Sequence, residues 1–306
     1  MPPAWYRRSV RSTTGWSALP FSRSVRPEYP STRPCSSGSP VHSPACAEGL
    51  GFVTTHASIR AGLCSVTLRG SSADEVIAIA VASGLESIEW GGDVHVPPGD
   101  VRTARDVGER TRAAGLEVAS LGSYYRCDGD FGPVLSTAEA LGAPRVRVWA
   151  GTTGSADATA ADREHVASQL GNAAAHAADL GLELALEFHR GTLTDTVEST
   201  LELLDRSGAT NVSCYWQPAI GADDDTALAA LAQLAPWLSA LHVFSWWPHD
   251  ERLPLSARES LWTRALDFAR ALPSVTDALL EFVPGDDLAL LPREAAVLRA
   301  WLDASE

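Results

Sequence analysis

The run LELALEFHRG, residues 182–191, alternates strictly, with Leu182, Leu184, Leu186 and Phe188 on one face of an extended chain and Glu183, Ala185, Glu187 and His189 on the other. The apolar face suits packing against helices. The other face carries Glu187 toward an interior, where a carboxylate is costly unless it is paired, bound to a metal or open to a solvent-filled mouth.

Seven comparable runs accompany it: LCSVTL (63–68), SIEWG (87–91), LEVASLG (116–122), RVRVWA (145–150), NVSCYW (211–216), LSALHVFSW (238–246) and DALLEFV (277–283). Helical patterns such as SADEVIAIAVASG and LTDTVESTLELLDRSG separate them. Ser72 and Asp74 are expected to cap the first helix and Thr194 the fifth, while Gly84, Gly115, Gly181 and Gly208 stand at helix ends. Eight strand–helix units predict an α/β fold, a single (β/α)8 TIM barrel over residues 53–306, with its site at the C-terminal mouth of the strands. No glycine-rich dinucleotide fingerprint follows the first run.

Residues 1–52 read as a disordered extension. The first 50 residues hold eight of the 19 prolines, many serines, and six arginines against Glu28 and Glu48, a formal +4 that leaves −18 for the rest of a chain of net charge −14. The 306-residue chain is 45% hydrophobic, with mean hydropathy −0.03, enough to bury a large core. It shows no membrane-length apolar run and no secretory h-region, so a cytoplasmic protein is expected. Cys35, Cys46, Cys64, Cys127 and Cys214 include no CxxC pair and read as reduced thiols.

All 24 basic residues are arginine. Without lysine there is no amine nucleophile for Schiff-base chemistry, and the P-loop lysine is absent as well.

The chemistry is expected where polar residues reach the ends of different strands. Glu187, His242 and Glu281 are the strongest candidates, joined by Gln217, which offers an amide oxygen ahead of Pro218. Two carboxylates, an imidazole and an amide oxygen form an N/O ligand set for a divalent ion, with Mn, Mg, Co and Zn all compatible. Glu187 and Glu281 are also the candidate proton carriers. Glu89, Trp90, Asp93, His95, Trp149, His189, Arg190, Trp216 and Trp246 are expected to contact substrate, the tryptophans by stacking on the apolar side of a sugar or cyclitol ring.

On IEWGGDVHVPPGD, LALEFHRGTLTDT, LHVFSW and LLEF, the chain resembles the xylose-isomerase-like TIM-barrel superfamily, over about Leu63 to Asp303. That group includes sugar phosphate isomerases and epimerases, inosose dehydratases and family 2 AP endonucleases. The resemblance implies a metal held by residues on strands five to eight, matched here by Glu187, His242 and Glu281. Gln217 replaces the expected strand-six aspartate, and Ile220 replaces a histidine three residues later. Leu193 and Pro248 stand where ketose 3-epimerases carry a glutamate and an arginine, and xylose isomerase's catalytic lysine has no counterpart.

The leading expectation is therefore a metal-dependent isomerase or epimerase of a small sugar, sugar acid or cyclitol, working by proton transfer beside a carbonyl. An inosose-type dehydratase or lyase with the same metal site, and a degenerate sugar-binding barrel without turnover, are the alternatives. The charge of the barrel argues against nucleic acid as a partner. A homodimer is the expected assembly.

Overall fold

In a computed structural model of the protein, residues 58–304 are described; the extension expected at residues 1–52 lies outside them. The chain begins with β1 (Arg60–Cys64), α1 (Ala73–Ala82), β2 (Ser87–Gly91), α2 (Val101–Ala113), β3 (Glu117–Gly122) and α3 (Gly132–Leu141). It continues through β4 (Arg145–Val148), α4 (Ala160–Asp179), β5 (Glu183–Glu187), α5 (Val197–Ser207), β6 (Val212–Trp216), α6 (Asp224–Leu234) and β7 (Leu238–Val243). A hairpin of β8 (Ser245–Trp246) and β9 (Arg252–Leu253) then precedes α7 (Glu259–Arg270), β10 (Asp277–Leu280) and α8 (Leu291–Asp303). Eight strands close in the order β1-β10-β7-β6-β5-β4-β3-β2, and every pairing in the ring is parallel. The fold is the (β/α)8 barrel.

The seam between first and last strands is held by charge as well as by the ladder. Arg60, in register with Asp277, donates from Nε and Nη2 to the two carboxylate oxygens at 2.8 Å each, and Ser87 Oγ donates to Oδ1 at 2.7 Å. Alternation along the strands sorts the core into two layers. Leu184, Leu186, Leu241 and Val243 belong to the large apolar layer shared with the helices, while Cys64, Val66, Ala119, Ala185, Tyr215, Ala240 and Leu279 form a smaller cluster inside the ring.

Two local expectations are corrected. The first strand runs from Arg60 to Cys64, and Ser65–Leu68 coil into a 3-10 turn instead of continuing it. Ser65 Oγ accepts the Gly91 N–H at 2.8 Å, which ties this turn to the end of β2. At the fifth helix Thr196, not Thr194, caps the N-terminus by accepting from Ser199 N at 3.2 Å. Thr194 donates instead to the Glu187 carbonyl oxygen at 2.5 Å, fixing the loop that follows β5. Ser72 caps α1 as expected, in a reciprocal capping box with Glu75. No helix among the described residues is long and apolar enough to cross a membrane.

Candidate active site

The interior side chains of β2, β4, β5 and β7, with the residue that follows β10, bring five ionisable groups together at the C-terminal end of the barrel. Glu89, Arg147, Glu187, His242 and Glu281 are 1%, 3%, 4%, 0% and 8% exposed, so each is withdrawn from bulk water and must find its partner within the protein. Arg147 is the hub: Nε donates to Glu89 Oε1 at 3.2 Å, and Nη1 is ion-paired to Glu187 Oε2. Ser120 Oγ donates to Glu89 Oε2 at 2.6 Å. His242 sits between the carboxylates, with Nε2 3.4 Å from Glu89 Oε1 and Nδ1 3.6 Å from Glu281 Oε2 and 3.9 Å from Glu187 Oε1. Its ring and that of Tyr215 lie nearly perpendicular, at a centroid distance of 5.3 Å.

The electrostatics follow from this crowding. Burial would raise the Glu89 carboxyl, but Arg147 and His242 outweigh it and bring it down to about 2. Burial likewise opposes ionisation of Glu187, and Arg147, His189 and His242 reverse the effect, so that its carboxyl titrates below the usual range. At Glu281 burial, helped by the charges of Glu187 and Glu89, outweighs His242 and Arg147 and pushes the carboxyl up to about 7. Burial disfavours the charged form of His242, yet Glu281, Glu89 and Glu187 raise the ring to about 9.

With the His242 imidazole neutral and Glu281 ionised, the forms a ligand must take, the three buried carboxylates face one guanidinium, and a divalent cation would match the remaining two negative charges. The polar atoms left over point the same way. Gln217 Nε2 lies 3.4 Å from Glu187 Oε1 as a donor, while Gln217 Oε1 and both His242 nitrogens are buried without a hydrogen-bond partner of good geometry. Buried atoms in that state call for a ligand. Gln217 Oε1 and the His242 nitrogens are thus unused ligand donors beside the carboxylates of Glu187 and Glu281, the glutamine offering a neutral oxygen. Cys64, Glu89 and His242 also converge, with ligand atoms within 4.8 Å of one another. That second set is less apt, because Glu89 is already engaged by Ser120 and Arg147, and because burial and the charges of Glu89 and Glu281 hold the Cys64 thiol protonated.

Gly122 makes the Arg147–Glu89 contact sterically feasible: a Cβ there would lie 2.8 Å from Glu89 Oε1 and 2.9 Å from Arg147 Nη2. Gly122→Ala is expected to prise this pair apart and lower the melting temperature by several degrees, about 1–3 kcal/mol. An unchanged melting curve by differential scanning calorimetry would show that the pair repacks freely.

A family signature of xylose isomerase-like TIM barrels matches residues 77–255, more than half of the chain. The chain belongs to this family. Among its relatives is a 3-dehydroshikimate dehydratase of Bacillus anthracis, 26% identical over 199 residues that span 59% of this chain and 69% of the relative. Among solved structures, the probable 3-dehydroshikimate dehydratase of petrobactin synthesis from Bacillus anthracis superposes with a TM-score of 0.66 at 20% identity, covering 79% of this chain and 99% of the other. A xylose isomerase-like barrel of Mycobacterium smegmatis in complex with magnesium superposes with a TM-score of 0.61 at 14% identity, covering 81% and 97%.

Around the cluster, this xylose isomerase-like barrel places the remaining expected residues unevenly. His189 stacks on Trp149, centroids 4.4 Å apart and planes inclined by 24°, and its Nδ1 lies 2.7 Å from the Arg190 carbonyl oxygen. Arg190 itself is exposed. Trp246 packs on Phe244 and Phe282, with the Arg252 guanidinium over both Trp246 and Phe282. Phe282 is placed by an unusual backbone, φ +62°, which breaks the alternation after Glu281 and turns its ring back against the interior cluster. Asp93 is ion-paired to Arg69.

Trp90 and Trp216 do not face the mouth. Each follows an inward residue, so the pleat turns it outward: Trp90 donates to Thr111 on α2, and Trp216 packs edge-on against Trp262 of α7. His95 is also committed, with Nδ1 3.0 Å from Ser65 Oγ and Nε2 3.1 Å from the Ser71 carbonyl oxygen. These three are corrected from substrate contacts to structural residues. The sequence reading missed Arg147 and Ser120. The signal for Arg147 was present, since RVRVWA puts its arginines on the face opposite Val146 and Val148, and interior carboxylates demand a counter-charge.

Proposed function

We propose that this barrel removes water from a carboxylate-bearing cyclic hydroxyketone with the help of a divalent ion. The observation that carries the reading is His189. The contact of its Nδ1 with a carbonyl oxygen makes that nitrogen the N–H donor, which leaves the lone pair on Nε2, and the ring is clamped against Trp149 beside Glu187. This is the arrangement of a single positioned general base.

His189 Nε2 takes the proton from the carbon adjacent to the ketone, and the C–H electron pair moves toward the carbonyl oxygen. The C–O bond to the neighbouring hydroxyl then breaks as those electrons form a C=C bond. His189 returns its proton to the departing hydroxide, so one water leaves and a conjugated enone remains. Glu187, Gln217, His242 and Glu281 would hold the divalent ion, which when bound would supply positive charge to the carbonyl oxygen. Arg126, stacked 3.9 Å from the Trp149 centroid and without a carboxylate partner among the described residues, suits the substrate's carboxylate.

Epimerisation, the leading expectation from sequence, asks two bases to work on opposite faces of one carbon. Here Glu187 is tied to Arg147 and Gln217, which favours a one-base elimination. The likeness to a 3-dehydroshikimate dehydratase supports the same choice.

The test is a panel of 3-dehydroshikimate, inososes and ketoses incubated with protein loaded with Mn²⁺, Mg²⁺, Co²⁺ or Zn²⁺ and read by mass and NMR. A product lighter by one water supports the proposal. A stereoisomer of unchanged mass would make the barrel an epimerase, and binding without turnover would make it a binding module.

A further inference from the structure

The two nitrogens of His242 face two different carboxylate groups. Nδ1 looks toward Glu187 and Glu281, the carboxylates of the ion site, whereas Nε2 looks toward Glu89. Glu89 is held firmly for a residue outside that site: Ser120 Oγ donates to its Oε2 at 2.6 Å, Arg147 Nε donates to its Oε1 at 3.2 Å, and Gly122 leaves the space that Glu89 and Arg147 occupy. The imidazole is fully buried and wedged against Tyr215, so it does not readily turn to exchange its nitrogens.

The geometry points to Glu89 as a positioning residue that fixes His242 with its proton on Nε2 and so presents the Nδ1 lone pair to a divalent ion between Glu187 and Glu281. This inference rests on the ion site described under the proposed function. Its physical basis is that an ionised carboxylate is only an acceptor. A lone pair on Nε2 would face the lone pairs of Glu89 Oε1, and the proton on Nδ1 would then block the ion. With the proton on Nε2 both conflicts vanish, and an N–H turned toward the Glu89 carboxylate 3.4 Å away makes the ring a better ligand. Arg147 completes a loop around the site, because the same guanidinium holds the positioning carboxylate through Nε and the ligand Glu187 through Nη1.

The experiment is a calorimetric titration of the purified full chain with Mn²⁺, comparing wild type, Glu89→Gln, Ser120→Ala and Cys64→Ala, together with ¹⁵N NMR of the Zn²⁺-loaded protein to locate the His242 proton. Glu89→Gln is expected to weaken Mn²⁺ binding by about 10–100-fold. Ser120→Ala, which loosens Glu89 without removing its charge, is expected to cause a smaller loss and serves as the test if Glu89→Gln does not fold. Cys64→Ala is expected to bind like wild type, and the loaded wild-type protein to show Nε2–H.

Mn²⁺ affinity of Glu89→Gln within twofold of wild type overturns the assignment, as does a loaded His242 with its proton on Nδ1. Loss of binding in Cys64→Ala also overturns it, because Glu89 would then be a direct ligand of an ion on the opposite side of the ring. If wild type takes up neither Mn²⁺ nor Zn²⁺, the ion site itself is wrong and this inference falls with it.

Discussion

Arg147→Met is expected to lower the unfolding free energy by about 3–5 kcal/mol, because it leaves Glu89 and Glu187 buried without their shared counter-charge. Both carboxylates are almost wholly withdrawn from solvent, and the partners that remain, Ser120, Gln217 and His242, do not replace a permanent positive charge. Arg147→Lys is expected to recover only part of the loss. One ammonium group cannot reproduce a fork that reaches Glu89 through Nε and Glu187 through Nη1. Urea unfolding followed by tryptophan fluorescence measures both variants, and pairing Arg147→Met with Glu89→Gln tests the cause. If removal of one stranded carboxylate leaves the double variant no more stable than Arg147→Met alone, the destabilisation comes from lost packing and not from charge.

The second large effect is on rate. His189→Gln is expected to reduce kcat on the substrate that turns over by about 10²–10⁴-fold, the usual contribution of a positioned general base. KM is expected to change little, and Mn²⁺ stoichiometry not at all, since the contacts of the ring are with the Arg190 carbonyl and Trp149 and not with the four proposed ion ligands. Trp149→Leu removes the surface that orients the ring and is expected to give a smaller loss, again mainly in kcat. A rise in KM at constant kcat for His189→Gln would reassign this histidine to substrate binding and leave the elimination without its base.

The barrel was legible in the sequence because its signal is repeated: eight apolar runs with helices between them leave few ways to bury both faces of each strand. Glu187, His242 and Glu281 stood out for a related reason, since each is polar in a run whose neighbours are committed to the core. What escaped was parity at the strand ends. Trp90 and Trp216 lie close to the mouth in sequence but one residue out of phase with Glu89 and Tyr215, and a single step reverses the direction of a side chain. Arg147 was in phase and passed over, because an arginine in a strand draws notice only once the carboxylates it must neutralise have been placed on the same interior. The first strand was displaced because the apolar residues of LCSVTL run past the point where Ser65 turns the backbone aside to meet Gly91. Phe282 could not have been anticipated by alternation, which its positive φ suspends.

The order of the strands divides labour between the two halves of the chain. Every proposed ion ligand, Glu187, Gln217, His242 and Glu281, follows the start of β5, while Glu89, Ser120 and Arg147 all precede the end of β4. A chimera that joins residues 183–304 to the first half of another barrel would thus inherit the donor atoms but not the charges that tune them. In such hybrids the identity of the bound ion and its grip become separately heritable, one travelling with each half-barrel.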